Sequence, residues 1–218
     1  MTPLPVLSPE RTIGHGRRSA PCLLENALYA PESNLSMPAA VTSRSGGCDG
    51  SLLAAWRTNN RVTVYLIERL PAELWRASLP GSPRRSVGMV AAHLHNSRCR
   101  WIRTLGGELG VVEPTRVEVR QVTRRQLVPA LRRSGEGILA LLRIGCERGG
   151  TIPPSALYTW RNLPLDVGHV LSYFVAHEGH HRGQIVMAAR ALNIRLPKEV
   201  TEGLWAWNRR ATEAGGIR

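Results

Sequence analysis

The stretch HEGHHRGQI at residues 177–185 puts three histidines into five positions on what reads as the core face of a helix. A neutral imidazole has one donor and one acceptor, and burying it without partners is costly. Successive helical residues advance by about 100°. With His177 as zero, Val170 and Ala188 fall near about 20°, His181 near about 40° and Phe174 near about 60°. His177 and His181 therefore stand one turn apart on the apolar stripe, with β-carbons about 6 Å apart. Two such rings can converge on one cation, since metal–nitrogen bonds are about 2.0–2.1 Å; the alternative is a pair of core histidines, each with its own hydrogen-bond acceptor. On the same wheel His180 borders the stripe and Gln184 faces the interior, where it can orient a ligand or satisfy a backbone group. Arg182 faces away, which suits a salt bridge or a dimer contact better than catalysis. Glu178, near about 100°, lies at the margin, open to a general-base role or to support of a ligand. A third metal ligand must come from another helix. His93, in VAAHLHNSRCRWI, is the candidate, because His95 lies about 200° round that helix and cannot face the same site.

A second motif uses the same letters. His177, Glu178 and His181 satisfy HExxH, the zincin pattern in which two histidines bind zinc and the glutamate activates water. The long metzincin form fails, because Gln184 and Met187 occupy the positions of its glycine and third histidine. Glu199 or Glu202 would have to serve as a downstream acidic ligand, but Pro197 intervenes and no motif surrounds either.

Helices must position these groups. Leu52, Ala55, Trp56, Val62, Leu66 and Leu70 recur at helical spacing before Pro71 ends the segment. Ser86 is placed to cap a second helix from Val87 to about Leu105, with Met89, Val90, His93, Asn96, Cys99, Arg100 and Arg103 on one side. Thr123 opens a third, in which Pro129 is tolerable only near the first turn. The fourth starts near Asp166 and runs to about Leu192. A last helix from Pro197 carries Leu204, Trp205 and Trp207, expected to cover the bundle. Asn59 and Asn60 on the first helix either line a pocket or cap a kink. There is no credible strand set and no internal repeat, so the expected fold is all-α: an up-down four-helix bundle over 49–214 with an additional C-terminal helix.

The pattern SVGMVAAHLHNSRCRWI, followed about 80 residues later by a helix bearing HExHHRGQI, resembles the DinB/YfiT-like family of bacterial four-helix-bundle metalloproteins over about residues 50–212. The resemblance implies a divalent metal held by His93, His177 and His181, with the tetrad His181-Arg182-Gly183-Gln184 closing the motif. It assigns nothing to His95, His169, His180 or residues 1–48. Three histidines leave coordination positions open, as catalytic sites do. Some relatives activate a low-molecular-weight thiol on the metal as transferases or isomerases. The expectation is a metal-dependent transferase or hydrolase acting on a small molecule, with a thiol or water as nucleophile. The alternatives are a metal that only staples the bundle or serves ligand binding without turnover, and a stress-response protein. Imidazole suits Zn, Ni, Cu and Fe alike, so availability decides among them; Zn or Ni is expected first, with Fe or Mn as alternatives. Related bundles often pair as homodimers.

Composition sets the remaining bounds. In 218 residues there is room for one core and an appendage. Residues 1–48, rich in Pro, Ser and Gly and without periodicity, read as a poorly ordered extension, with Met37 as a possible alternative start. The net charge of +13 rests almost wholly on arginine, Lys198 being the one lysine. With no nucleic-acid-binding motif, this reads as a solvated basic surface, and a nucleic-acid partner is not expected. The four cysteines form no CxxC pair, which suits a reducing, cytoplasmic compartment. No apolar run approaches the about 20 residues that span a bilayer.

Overall fold

The computed structural model describes residues 49–215. The expectations for the extension over 1–48, Met37 included, lie outside the described residues. Four long helices form the body: α1 (Asp49–Arg69), α3 (Val87–Gly106), α4 (Arg124–Glu147) and α5 (Val167–Ala191). Their N-termini are set by the residues the sequence points to. The Ser86 hydroxyl accepts the Met89 N–H, Thr123 accepts that of Gln126, and Asp166 accepts that of His169, each satisfying an otherwise orphaned donor. After α5, Asn193 takes a left-handed conformation (φ 55°) and the Ile194 N–H returns to the Ala189 carbonyl, closing the helix. Pro129 stands in the second turn of α4. It is exposed there, where water can serve the carbonyl that its missing N–H leaves free.

Helix directions follow from the contacts. Trp56, Asn59 and Thr63 meet Phe174, Glu178 and Arg182 in that order, so α1 and α5 run parallel. His93 lies against His177 and His181 while Trp101 lies against Tyr173 and Phe174, so α3 and α5 are antiparallel. Ile102 abuts Gly137 and Gly106 abuts Leu141, so α3 and α4 run the same way. The order up-down-down-up refines the up-down bundle read from the sequence. The long 107–123 connection carries the chain back along the bundle, so α4 can repeat the direction of α3.

Two segments differ from the sequence reading. Between α1 and α3 lie a short helix, α2 (Ala72–Arg76), and a hairpin of β1 (Ser78–Leu79) and β2 (Ser82–Ser86). Its SPRRS strand has no apolar alternation, so periodicity missed it; the local signal was Pro80-Gly81, with Gly81 at φ 72°. The C-terminal helix is two, α6 (Lys198–Gly203) and α7 (Trp207–Gly215). Trp205 falls in the turn between them and is 84% exposed, and Trp207 is also exposed, so neither covers the bundle. Leu204 packs on the core instead, and Arg210 of α7 is buried with its guanidinium 3.8 Å from the Tyr65 ring centroid.

The apolar interior divides into two clusters. One gathers Leu66, Ile67, Leu70, Leu94, Leu127, Leu131 and Ile185; the other Trp56, Trp101, Ile102, Ile138, Leu142, Val170 and Phe174. Between the clusters each long helix carries polar residues: Asn59, Asn60 and Thr63 on α1, Arg98 on α3, Ser134 on α4, and Glu178 on α5. This polar waist lies at the level of the histidines.

Candidate metal centre

His93 of α3 and His177 and His181 of α5 converge. Ring centroids are 4.6 Å apart for His177–His181, 4.7 Å for His93–His181 and 5.4 Å for His93–His177. One ligand nitrogen from each ring lies within 4.8 Å of the others. The Nε2 atoms of His177 and His181 are 3.2 Å apart. Two nitrogens bound to one tetrahedral ion at about 2.0–2.1 Å stand about 3.3 Å apart, so the residues fit a divalent cation. His181 is buried, whereas His93 and His177 are half-buried, and the group opens toward solvent.

Protonation favours ligation as well. Burial, reinforced by the neighbouring His181 and His93, pushes His177 down to about 4. Burial likewise lowers His93 and His181 below the ordinary imidazole value. Neutral rings keep their lone pairs at ordinary pH. For His181 the tautomer is set too: Nδ1 donates to Gln184 Oε1 at 2.8 Å, which leaves Nε2 bare toward the other rings.

Beneath the rings, Glu178 is fully buried. Its Oε1 accepts from Arg98 Nε at 2.7 Å, and its Oε2 accepts from Thr63 Oγ1 at 2.7 Å and Asn59 Nδ2 at 3.0 Å. Burial alone would raise this carboxyl, but the Arg98 charge and hydrogen bond, with Thr63 and Arg182, hold it below its ordinary value. Arg98 Nη1 also reaches Asn60 Oδ1 and the Leu131 carbonyl, so the waist joins all four long helices. Arg182 folds over α1, donating to Asn59 Oδ1 and Thr63 Oγ1. Asn59 and Asn60, left open between two roles by the sequence, are members of this network. The core stripe of α5 thus runs through Phe174, Glu178, His181 and Ile185, rotated from the wheel centred on His177.

The α3 stripe is rotated as well. Arg100 and Arg103, read as sharing one side with His93, are exposed, while Val90, Leu94, Arg98, Trp101 and Leu105 are buried. His93 consequently sits on the rim. His95 points elsewhere, hydrogen-bonded through Nδ1 to Ser134 Oγ and through Nε2 to the Thr115 carbonyl. His169 pairs with Asp166 at the start of α5, and His180 is exposed.

Comparison with known proteins supplies the family. The model of the DinB family matches residues 37–193, well over half of the chain. This chain belongs to the DinB family. No curated protein and no solved structure matches it significantly. In this DinB protein no helix among the described residues is long and apolar enough to cross a membrane.

Several neighbours of the DinB triad escape the sequence motif. Tyr173 stacks on His177 with centroids 5.8 Å apart and an interplanar angle of 15°. It is the residue one turn before His177, a spacing that the helical wheel contains. Tyr173 in turn meets Trp101 edge-on at 5.3 Å. Arg85, at the end of β2, lies close enough to lower both His93 and His181 by its charge, and Arg100 acts on His93 in the same way. Only the unforeseen hairpin puts Arg85 there.

Proposed function

We propose that this protein is a metal-dependent enzyme in which His93, His177 and His181 hold one divalent cation and substrate binds on the solvent side. The observation that carries this reading is the convergence of three neutral imidazoles from two helices on one point, with the His181 tautomer set by Gln184. A cation there would supply a Lewis acid that lowers the pKa of a bound water or thiol and so provides a nucleophile near neutral pH. The chain's own part is to orient the rings, to keep them unprotonated, and to leave one face of the site open. A small-molecule substrate and a low-molecular-weight thiol or water as its reaction partner fit that open face. Zinc or nickel is the metal proposed, with iron or manganese as alternatives; an all-imidazole set accepts zinc, nickel, copper and iron alike.

Glu178 is read as the anchor that fixes α5 and not as a general base, since both its oxygens are engaged beneath the rings by Arg98, Thr63 and Asn59. This speaks for thiol or water activation without the zincin glutamate.

Elemental analysis of the purified protein beside the His177→Ala/His181→Ala variant tests the site. About one metal per chain in the wild type, lost in the variant, is the expected result. Wild type that stays metal-free after exposure to Zn, Ni, Mn and Fe would overturn the reading. Spectral response of the cobalt-loaded protein to added thiol then separates an open site from a closed structural one.

A further inference from the structure

We infer that the α4–α5 loop and the rim of α3 form the substrate-selecting surface of this centre: an aromatic shelf of Tyr173 and Trp160, backed by the buried Trp101, for a planar apolar moiety, with Arg85 and Arg100 favouring an anionic one. The inference rests on the metal reading above and names the ligand class, an aromatic anion that presents a metal-binding atom.

The aromatic chain is continuous from the metal ligand to the surface. Tyr173 stacks on His177, Trp101 meets Tyr173 at 5.3 Å, and Trp160 meets Trp101 at 5.9 Å. Trp160 is 46% exposed although its ring meets Trp101 and, 5.4 Å away, Tyr158 in edge-on contacts. A large apolar ring anchored by aromatic neighbours yet about half exposed is a preformed platform for a flat partner. The loop that presents it is built for the purpose. Tyr158 Oη donates to the Leu163 carbonyl and accepts the Leu163 N–H, so residues 158–163 form a closed bracket. Arg161, next to Trp160, is held at φ 42°, a conformation that non-glycine residues adopt only when their surroundings impose it. Glu108 ties the start of the same loop to the end of α3 by accepting from Ser155 Oγ and the Ala156 N–H.

The charge around the open face has one sign. Arg85 and Arg100 are exposed, and neither forms an ion pair among the described residues. Arg100 lies two turns along α3 from His93, at about −20° on the wheel and about 10 Å along the axis, beside Trp101. The acid nearest the triad, Glu178, is fully buried and neutralised by Arg98. An anion approaching the rings meets uncompensated guanidinium groups on both sides of His93.

The test uses the full chain loaded with cobalt(II), whose thiolate charge-transfer absorption reports ligand binding without turnover. Three probes are titrated: 4-mercaptobenzoate, 4-methylbenzenethiol and 3-mercaptopropionate. Trp160→Ala should weaken both aromatic thiols about five- to tenfold and leave 3-mercaptopropionate unchanged. Arg85→Gln/Arg100→Gln should weaken 4-mercaptobenzoate about threefold at low salt, relative to 4-methylbenzenethiol, with the difference fading as salt rises. Both variants alter exposed residues, and unchanged circular dichroism confirms their fold. Aromatic-thiol affinities in Trp160→Ala equal to those of the wild type would overturn the shelf. So would a dimer in sedimentation velocity that Trp160→Ala dissociates without change in thiol affinity, since the exposed ring would then be an interface between copies. A wild type that takes up no cobalt overturns the metal reading and this inference together, whereas cobalt uptake with no probe selectivity overturns this inference alone.

Discussion

Arg98 Nε and Glu178 Oε1 lie 2.7 Å apart with both side chains 1% exposed, an ion pair buried between the two helices that carry the histidines. Glu178 is flanked in sequence by His177, and His181 is one turn on. Whatever fixes the rotation of Glu178 about the α5 axis therefore fixes both rings. Arg98 does the same for α3, where His93 lies five residues earlier and Trp101 three later. The pair is a registration device whose energetic cost is met by Asn59, Asn60, Thr63 and the Leu131 carbonyl.

Removing one partner leaves a buried charge. Glu178→Ala or Arg98→Ala should lower the unfolding free energy by about 3–5 kcal/mol, whereas Arg98→Met/Glu178→Leu should recover much of it. Urea denaturation checks both, and metal content separates stability from registration: the apolar pair should hold the fold but bind metal more weakly.

The same pair sets an acid sensitivity. Glu178 titrates below its ordinary value of 4.5 in the folded chain, so its stabilisation is complete above that value and is lost as pH falls through the folded pKa. Stability measured between neutrality and pH 3 should therefore fall more steeply below about pH 4.5 in the wild type than in Arg98→Met/Glu178→Leu. Parallel curves would show that Glu178 carries no such linkage.

Gln184 holds the His181 ring by accepting from Nδ1. Gln184→Ala should cost about 10–100-fold in metal affinity with little change in stability, since outer partners of metal-bound imidazoles act on that scale. Competition with a chromophoric chelator reads the affinity directly. Gln184→Glu, which keeps the acceptor, should restore most of it.

Tight packing at the waist predicts a steric penalty. Gly135 has no room for a Cβ, which would overlap the Asn60 side-chain amide, and the Gly135 carbonyl accepts from Trp56 Nε1 at 2.8 Å. Gly135→Ala should destabilise by about 1–3 kcal/mol despite its better helix propensity. Trp205→Ser, at an exposed turn, should stay within about 0.5 kcal/mol of wild type in the same denaturation assay.

Cys99 offers a chemical check on burial. Desolvation, with Glu113 adding to it, pushes its thiol up to about 11. Iodoacetamide at pH 8 should leave the Cys99 peptide unmodified in the native chain and alkylate it in urea, as peptide mass mapping would show.

Much of this protein is local enough to be read from its letters. Ser86, Thr123 and Asp166 mark helix starts because an orphaned N–H three residues on needs an oxygen, and that requirement is set within one turn. His177 and His181 share a face because of helical pitch alone; His93 stood out by its place in a second helix, and the resemblance added its role as a ligand. The all-α architecture follows from the same periodicities.

Tertiary structure decided what depends on a neighbour far along the chain. Whether the α5 stripe centres on His177 or on Glu178 depends on Arg98, 80 residues away, because a carboxylate enters a core only where a guanidinium meets it. The hairpin that brings Arg85 to the triad has no apolar alternation to betray it, and Trp160 owes its place to Trp101 and Tyr158. Trp205 is exposed because α6 and α7 break apart around it, whatever its hydrophobicity favours. The sequence determined which atoms could bind a metal, through the pitch of one helix; packing decided which face of them stays open, through contacts that no local pattern encodes.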